Sequence, residues 1–279
     1  MNTNILEYFI RSKSGLKEKC EDAIHIGSDF IAVIDGATDK SKIIWKHGSR
    51  GQTISQLIDE SLGKLCIEAT ATEAVAHINE AVKYVYRTNK IEERVKTHTT
   101  ERLTASVAIY SKYRREIWMI GDCQARFGGS NFYNKKRIDE LISYARSVRL
   151  ELLLADGRTE EELRGPDPGR EFILPLLREQ TKLQNNPSAG YLWYAVIDGF
   201  AFPESGIKVI PVPSDIEEII LATDGYPFIE DTLKDSEEAL KKTLRDDPLL
   251  IRNFRTTKCP SGPDESFDDR AFVRFKCNE

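Results

Sequence analysis

The chain has 279 residues, with 40 basic and 45 acidic side chains, a formal net charge of −5 and 40% hydrophobic residues. This length allows one large domain or two modest ones, and it excludes a peptide-sized module. The longest apolar stretches are strand-sized, far short of the roughly 20 residues that a bilayer crossing needs, so we expect no transmembrane helix and no membrane partner. Since the N-terminus has no basic region ahead of an apolar segment, we expect no secretory signal and a cytoplasmic protein.

Charge and cysteine usage narrow the function classes further. The basic residues are scattered along an acidic chain, which argues against a nucleic-acid-binding face. The five cysteines are odd in number, widely spaced and form no C-x-x-C pair. This pattern argues against a disulfide framework and against a zinc cage.

Hydrophobic periodicity predicts an alternation of strand groups and helix groups. In chain order we expect strands at 5–11 and 30–34, helices at 52–66 and from 72 onward, strands at 104–110, 116–120 and 124–127, helices at 136–154 and 170–183, strands at 191–197, 208–210 and 218–222, a helix at 236–244 and a strand at 271–275. Strands joined by short turns, with helices in consecutive pairs, favour an α+β fold with antiparallel sheets.

Proline usage divides the chain, because all eleven prolines lie at or after Pro166. The turn-rich segment 165–169 nevertheless runs directly into a helical pattern, without the polar linker typical of a domain boundary. The acidic motifs described next also lie on both sides of it. We therefore predict one domain over residues 1–279.

Two apolar strands stop at an Asp-Gly pair, Asp35-Gly36 and Asp224-Gly225. Each pair puts a carboxylate at the end of a buried strand, and the glycine leaves its backbone open to close approach and its carbonyl free as an oxygen ligand. One such pair alone is also typical of a turn, which is our interpretation of a third pair at Asp198. Other acids next to predicted strands are Glu21, Asp22, Asp122, Asp268 and Asp269.

Convergence of these acids on one site would require cations. Clustered carboxylates repel each other, and such a cluster is tolerated mainly when metal ions neutralise it. Oxygen ligands without a neighbouring His or Cys select hard ions, so the sequence predicts magnesium or manganese.

These motifs, in this order, resemble those of the metal-dependent serine/threonine protein phosphatases of type 2C, the PPM family. The matching blocks are Glu21-Asp22, Val33-Ile-Asp35-Gly36, Thr104-Ala-Ser106, Gly121-Asp-Cys-Gln-Ala-Arg126, Leu221-Ala-Thr-Asp224-Gly225 and Asp268-Asp269. They span nearly the whole chain. The resemblance implies a four-layer α/β/β/α sandwich, with two antiparallel sheets flanked by helix pairs and a two-metal site at one edge.

The resemblance also implies a role for each metal-binding position. Asp35 would bridge the two ions, and Asp224 and Asp268 would complete the shell of one of them. Glu21 and the Gly36 carbonyl would bind the other ion.

Four further acids are candidates for a supporting shell or for a third, weaker ion: Asp22, Asp122, Asp139 and Asp269. Asp22 matches the second acid of its motif, and Asp139 follows the Gly-Asp motif as family members' third-ion acid does. The site would thus hold two ions of magnesium or manganese, with Asp35 and Asp224 at the reacting centre.

Three positions depart from the family pattern. Lys17 stands where eukaryotic members have an arginine that grips the substrate phosphate, so the predicted phosphate ligand is a point charge without a bidentate fork. Ala37 replaces the histidine proposed as the leaving-group acid. The last motif has Asp269 where asparagine is usual.

The implied activity is hydrolysis of phosphoserine and phosphothreonine by a water that bridges two divalent ions. The implied partners are a phosphorylated protein or peptide substrate and a cognate kinase. Two alternatives stay open: a non-catalytic PPM-like binding or regulatory domain, and a phosphatase for small phosphoesters. The sequence has neither a G-x-S-x-G nucleophile motif nor a Walker phosphate-binding motif.

Overall fold

A computed structural model describes residues 5–38, 45 and 48–277. Its strands are β1 (Ile5–Arg11), β2 (Asp22–Ile26), β3 (Phe30–Gly36), β4 (Ala105–Ser111), β5 (Glu116–Ile120), β6 (Gln124–Phe127), β7 (Ser130–Tyr133), β8 (Lys208–Pro211), β9 (Glu218–Ala222) and β10 (Arg270–Lys276). Its helices are α1 (Arg50–Leu62), α2 (Ala71–Thr88), α3 (Glu92–Thr97), α4 (Arg137–Ala155), α5 (Glu160–Arg164), α6 (Pro168–Glu179) and α7 (Leu233–Asp246).

The strands form two five-stranded antiparallel sheets. The first sheet has the order β1-β10-β9-β6-β7, and the second has the order β2-β3-β4-β5-β8. The first sheet joins the N-terminal strand to the C-terminal strand, with Tyr8 opposite Val273. The predicted α+β class with antiparallel sheets is confirmed.

A buried core fills the space between the two sheets, and a second core lies beneath α1 and α2. Strand β3 contributes to both, because its side chains alternate between the two faces. Ile31 and Val33 belong to the inter-sheet core, whereas Ala32 and Ile34 pack with the residues of α1 and α2. A strand that is buried on both faces has a continuous apolar run, as the sequence shows here. The same alternation puts Asp35, two residues after Val33, on the inter-sheet side.

Helices α1 and α2 begin with capping boxes. The hydroxyl of Ser49 accepts a hydrogen bond from the backbone N–H of Gln52, and Thr70 accepts one from Glu73. In each capping box, two reciprocal hydrogen bonds satisfy two N–H groups at the helix start that would otherwise be unpaired. The apolar stripes of both helices then pack on the second sheet, with Ile54, Ile58, Ile78 and Val82 among the buried residues.

Sequence periodicity misassigned one segment and overlooked two strands. Residues 191–197 are not a strand: Pro187–Leu192 forms 3-10 turns, and Tyr194 and Ile197 make only isolated bridges. Gly190 at φ 67° breaks the 3-10 segment directly before the predicted strand. The short strands β2 and β7 were not predicted. Among the described helices, none has the length and apolar character needed to cross a bilayer.

Candidate metal centre

Three aspartates from different strands meet at one edge of the sandwich. Asp35 ends β3, Asp122 follows β5, and Asp224 follows β9. Their carboxylate oxygens lie within 4.8 Å of one another. Strands β3 and β5 belong to the second sheet and β9 to the first, so the cluster joins the two sheets. The structure therefore brings together acids that are up to 189 residues apart in sequence.

Strand register accounts for the position of Asp35 and Asp122. Asp35 lies opposite Asp22 on β2 and opposite Ser106 on β4. The Ser106 hydroxyl donates a 2.5 Å hydrogen bond to the carboxylate of Asp122. Gly121 directs the chain into this contact at φ +82°, where a Cβ would overlap the Ser106 side chain.

The start of α1 approaches the end of β3 closely, and this approach positions Glu21. The hydroxyl of Ser49, the N-cap of α1, donates a hydrogen bond to the Glu21 carboxylate, and Ser55 donates one to the Glu21 carbonyl oxygen at 2.6 Å. A Cβ on Gly51 would lie 2.6 Å from the Gly36 carbonyl oxygen and 2.7 Å from the Glu21 side chain. Only glycine fits there, and the positive end of α1 favours the Glu21 carboxylate.

The cluster opens into a cavity of about 170 Å³. Nine of the ten residues singled out in the sequence line it: Glu21, Asp22, Asp35, Gly36, Asp122, Asp139, Asp224, Asp268 and Asp269. Lys17 does not. It is exposed in the 3-10 turn Lys17–Lys19, so the structure does not bring this lysine to the acids.

Among the residues that the structure describes, none forms an ion pair with Asp35 or Asp224. Burial, and then repulsion by neighbouring carboxylates, raises the pKa of both well above the ordinary value. Within the described part of the chain, no group donates a hydrogen bond to either carboxylate. Asp22 has a raised pKa for the same first reason, burial, although the Thr223 hydroxyl donates to it at 2.7 Å.

Asp268 lies in the same cavity but is paired. Its carboxylate is 2.6 Å from the Lys258 ammonium and 3.7 Å from that of Lys13. Burial pushes the pKa of Asp268 upward, but the two lysines outweigh burial and leave it below the ordinary value. Its neighbour Asp269 accepts hydrogen bonds from the backbone N–H groups of Lys13 and Glu21 at 2.9 and 2.7 Å.

A lysine forms ion pairs with the acids on the other side of the cavity. The Lys136 ammonium is 2.8 Å from Asp139 and 3.9 Å from Asp122, and it lies 4.5 Å from the ring centre of Tyr194. Burial lowers the pKa of Lys136, but the acids raise it further and keep the lysine charged. Sequence reasoning missed this residue. The spacing of Lys136 and Asp139, three apart at the start of a predicted helix, was the available signal.

The third Asp-Gly pair lies apart from the centre. Asp198 is fully buried and binds Arg102 at 2.9 Å and the amide of Gln184 at 2.6 Å. It also accepts a hydrogen bond from the backbone N–H of Phe200. This arrangement is that of a structural turn.

The donor set fits a hard divalent cation. It consists of carboxylate oxygens and the Gly36 carbonyl, and burial together with repulsion between carboxylates raises the pKa of Asp35 and Asp224. Magnesium and manganese prefer such oxygen ligands. The residues present therefore fit the ions that the sequence predicts.

The chain shares its fold with a solved bacterial serine phosphatase and also aligns with two other solved phosphatases. A bacterial serine phosphatase aligns over 99% of this chain and 98% of its own, with 13% sequence identity and a TM-score of 0.51. The catalytic domain of the serine threonine protein phosphatase PstP, solved in complex with two manganese ions, aligns over 98% of this chain and 99% of its own at 16% identity and a TM-score of 0.47. Stp1 from Staphylococcus aureus aligns over 99% and 95%, at 12% identity and a TM-score of 0.49.

At such low identities, the likeness to the bacterial serine phosphatase is a likeness of fold. No protein-family model matches this sequence. A search of curated proteins finds no match either.

Proposed function

We propose that this chain is a divergent type 2C phosphatase that hydrolyses phosphoserine and phosphothreonine with two magnesium or manganese ions. One observation carries the proposal: the carboxylate oxygens of Asp35, Asp122 and Asp224 converge within 4.8 Å. Such a convergence is unfavourable in a protein unless it serves a cation. The shared fold with a bacterial serine phosphatase supports the same reading.

We assign the ligands as the resemblance implies. Asp35 would hold both ions, Asp224 and Asp268 would hold one of them, and Glu21 and the Gly36 carbonyl would hold the other. The hydrogen bonds of Ser49 and Ser55 to Glu21 support its assignment, because they hold its backbone and its carboxylate at the cavity.

The remaining acids have supporting roles in this proposal. Asp269 orients Glu21 by accepting its backbone N–H, and Asp22 is oriented by Thr223. Asp122 and Asp139 share Lys136, so a positive charge already lies where the resemblance implies a third, weaker ion.

The two ions, when bound, supply positive charge that activates a water for attack on phosphorus and offsets charge on the phosphoryl oxygens. The chain's own contribution is to hold the carboxylates in place before substrate arrives. It does so through strand register at Asp35 and through the Gly36–Gly51 approach at Glu21. Ala37 lines the cavity and offers no proton, so the proton for the leaving alkoxide comes from water in this proposal.

A phosphopeptide is the favoured substrate class because a second cavity, of about 460 Å³, adjoins the first and shares Asp122, Asp224 and Asp268 with it. Its wall carries a group of aromatic side chains: Tyr133, Tyr226, Phe228, Phe254 and Phe267. Tyr133 and Phe228 are the exposed members of this group, and a small phosphoester would leave them in water, whereas a peptide could bury an apolar neighbour of the phosphorylated residue there. A cognate kinase and a cytoplasmic setting belong to the same proposal, and the five unpaired cysteines support a reducing compartment.

The test is phosphate release from p-nitrophenyl phosphate and from a phosphothreonine peptide, with manganese or magnesium, between about pH 7 and pH 9, the range around which a metal-activated water ionises. We expect release that depends on added metal and stops with a chelator. A flat result with both metals across this range would favour the non-catalytic domain.

Substrate class needs a matched comparison. We expect the phosphothreonine peptide with a phenylalanine beside the phosphorylated residue to exceed the same peptide with glycine there, and to exceed small phosphometabolites, in kcat/KM. Faster hydrolysis of the small phosphometabolites would favour the small-phosphoester alternative.

A further inference from the structure

Arg170, near the start of α6, lines the cavity of the metal centre. Its Nη1 donates hydrogen bonds to both the carbonyl oxygen and the hydroxyl of Thr257, each at 2.9 Å. Thr257 lines the cavity as well, and Lys258 follows it. The Nη1 atom therefore anchors the guanidinium to Thr257. The same loop carries Lys258, the ion-pair partner of Asp268.

In the part of the chain that the structure describes, no carboxylate lies within ion-pair distance of Arg170, and no group accepts a hydrogen bond from its Nε or Nη2. Burial lowers the pKa of Arg170 more than the charges of Asp167, Asp268 and Asp139 raise it, but leaves an arginine protonated. A partly buried cation with a free edge is a binding site for an anion from solution.

The other cationic side chains that line the cavity already have partners. Lys136 pairs with Asp139, and Lys258 pairs with Asp268. Arg50 donates to the backbone carbonyls of Thr38 and Thr100 at 2.8 and 2.7 Å. Arg170 is distinguished from these three by a fork of donors that remains available.

We infer that Arg170 binds the phosphoryl oxygens of the substrate, the role that the sequence resemblance assigns to Lys17. This inference rests on the proposed function. Two parallel N–H donors of a guanidinium match two phosphoryl oxygens, which a lysine ammonium cannot do. Lys17 is exposed in its 3-10 turn and does not line the cavity. The phosphate-binding cation would thus come from α6, about 150 residues further along the chain.

The experiment compares Arg170→Ala and Arg170→Lys with two other variants. Arg178→Ala is the matched control, because Arg178 is an exposed arginine in the last turn of the same helix. Lys17→Ala tests the position that the resemblance assigns. Each magnesium-loaded protein is titrated with orthophosphate by calorimetry, and KM and kcat are measured with p-nitrophenyl phosphate.

We expect Arg170→Ala to weaken orthophosphate binding by about 10- to 100-fold, the loss typical of a charge-assisted hydrogen-bonded pair. Arg170→Lys should lose less, since it keeps the charge but not the fork, and Arg178→Ala should bind as the wild type does. KM should rise by a similar factor to the dissociation constant. Magnesium affinity and melting temperature, measured on the same samples, separate loss of phosphate binding from loss of the metal site or of the fold.

Several results would overturn the inference. Unchanged orthophosphate binding in Arg170→Ala is one, and a loss confined to Lys17→Ala is another. Absence of orthophosphate binding by the wild type would also overturn it. If the wild type binds orthophosphate through Arg170 but hydrolyses no phosphoester, the binding site stands and the proposed enzymatic function fails, so the two failures are distinguishable.

Discussion

The carboxylates on the two sides of the cavity differ in whether a cation is paired with them. Asp268 lies 2.6 Å from Lys258, and its pKa is below the ordinary value although burial opposes this. Asp35 and Asp224 line the same cavity with no described donor or cation paired to them, and burial raises the pKa of both. The contrast is not one of burial, because all three aspartates are only partly exposed.

This difference indicates which acids already have a cation beside them in the metal-free chain and which depend on an external cation alone. A buried carboxylate with a built-in lysine is satisfied in the folded protein. A cluster without one destabilises the metal-free protein and gains most from divalent ions, which bind the folded state and stabilise it by mass action. Asp35 and Asp224 should therefore lower the stability of the metal-free protein, whereas Asp268 should not.

The largest expected effect is loss of activity in Asp35→Asn. An amide keeps the shape but removes the charge that bridges the ions, so phosphoester hydrolysis should fall by several orders of magnitude while the fold is retained. Hydrolysis of a phosphopeptide in manganese measures it, with circular dichroism as the check on folding. Asp246→Asn, an exposed acid on α7, is the control that should keep full activity. Near-normal hydrolysis by Asp35→Asn would contradict the metal assignment.

An intermediate effect is expected when the internal cation is removed by Lys258→Met. This variant keeps an apolar stem but leaves Asp268 with only the Lys13 ammonium, 3.7 Å away, so the metal-free protein should lose about 1–3 kcal/mol of its free energy of unfolding. Added magnesium should recover part of the loss, because the ion supplies the missing charge. Urea unfolding with chelator and with magnesium measures both quantities.

Lys234→Met is the matched control for that variant. Lys234 pairs with Glu238 on the surface of α7, where both side chains are mostly exposed. Its loss should change the free energy of unfolding by less than about 1 kcal/mol. An equal effect of the two substitutions would remove the distinction between the paired side of the cavity and an ordinary surface pair.

The smallest expected effect is a pH dependence of the metal-free protein that comes from Asp224. Because its pKa is raised in the folded state, the folded chain binds more protons than the unfolded chain between the ordinary value of 3.8 and the raised value. The free energy of unfolding should therefore fall as pH rises through that window. Asp224→Asn should be the more stable protein near neutral pH by about 1 kcal/mol or more, since a tenfold change in an acid constant corresponds to about 1.4 kcal/mol.

Urea unfolding in chelator from about pH 5 to about pH 8 measures this dependence. The advantage of Asp224→Asn over the wild type should shrink toward the acidic end, where the wild-type carboxyl is protonated. Asp246→Asn should show no such trend. A wild type that gains stability with rising pH relative to Asp224→Asn would mean that Asp224 has a partner in solution.

Much of the fold follows from local patterns. The predicted strands at 116–120, 124–127 and 218–222 match β5, β6 and β9 residue for residue. These are continuous or alternating apolar runs bounded by turn residues, which local physics favours in any context. By contrast, β2 begins with the acid Asp22, and β7 is mostly exposed, so neither has an apolar pattern. Both become strands because a neighbour supplies their hydrogen bonds.

The acids of the candidate site were also readable, but their partners were not. A carboxylate directly after a buried strand must lie at the edge of a sheet, so Asp35 and Asp224 could be found without tertiary information. Arg170 could not be ranked above any other basic residue, and the one signal for Lys136 was its spacing from Asp139. A long flexible side chain reaches several neighbours, and packing of distant elements decides which one it meets.

The sequence by itself determined which strands are buried and where each ends in an acid, because side-chain alternation and turn chemistry act over a few residues. Tertiary structure decided which acids have cations of their own. The Lys13 ammonium lies 3.7 Å from the carboxylates of Asp268 and Asp269, which are 255 and 256 positions further along the chain. Electrostatic pairing depends on distance in space, and only the packing of the two sheets and their helices sets that distance.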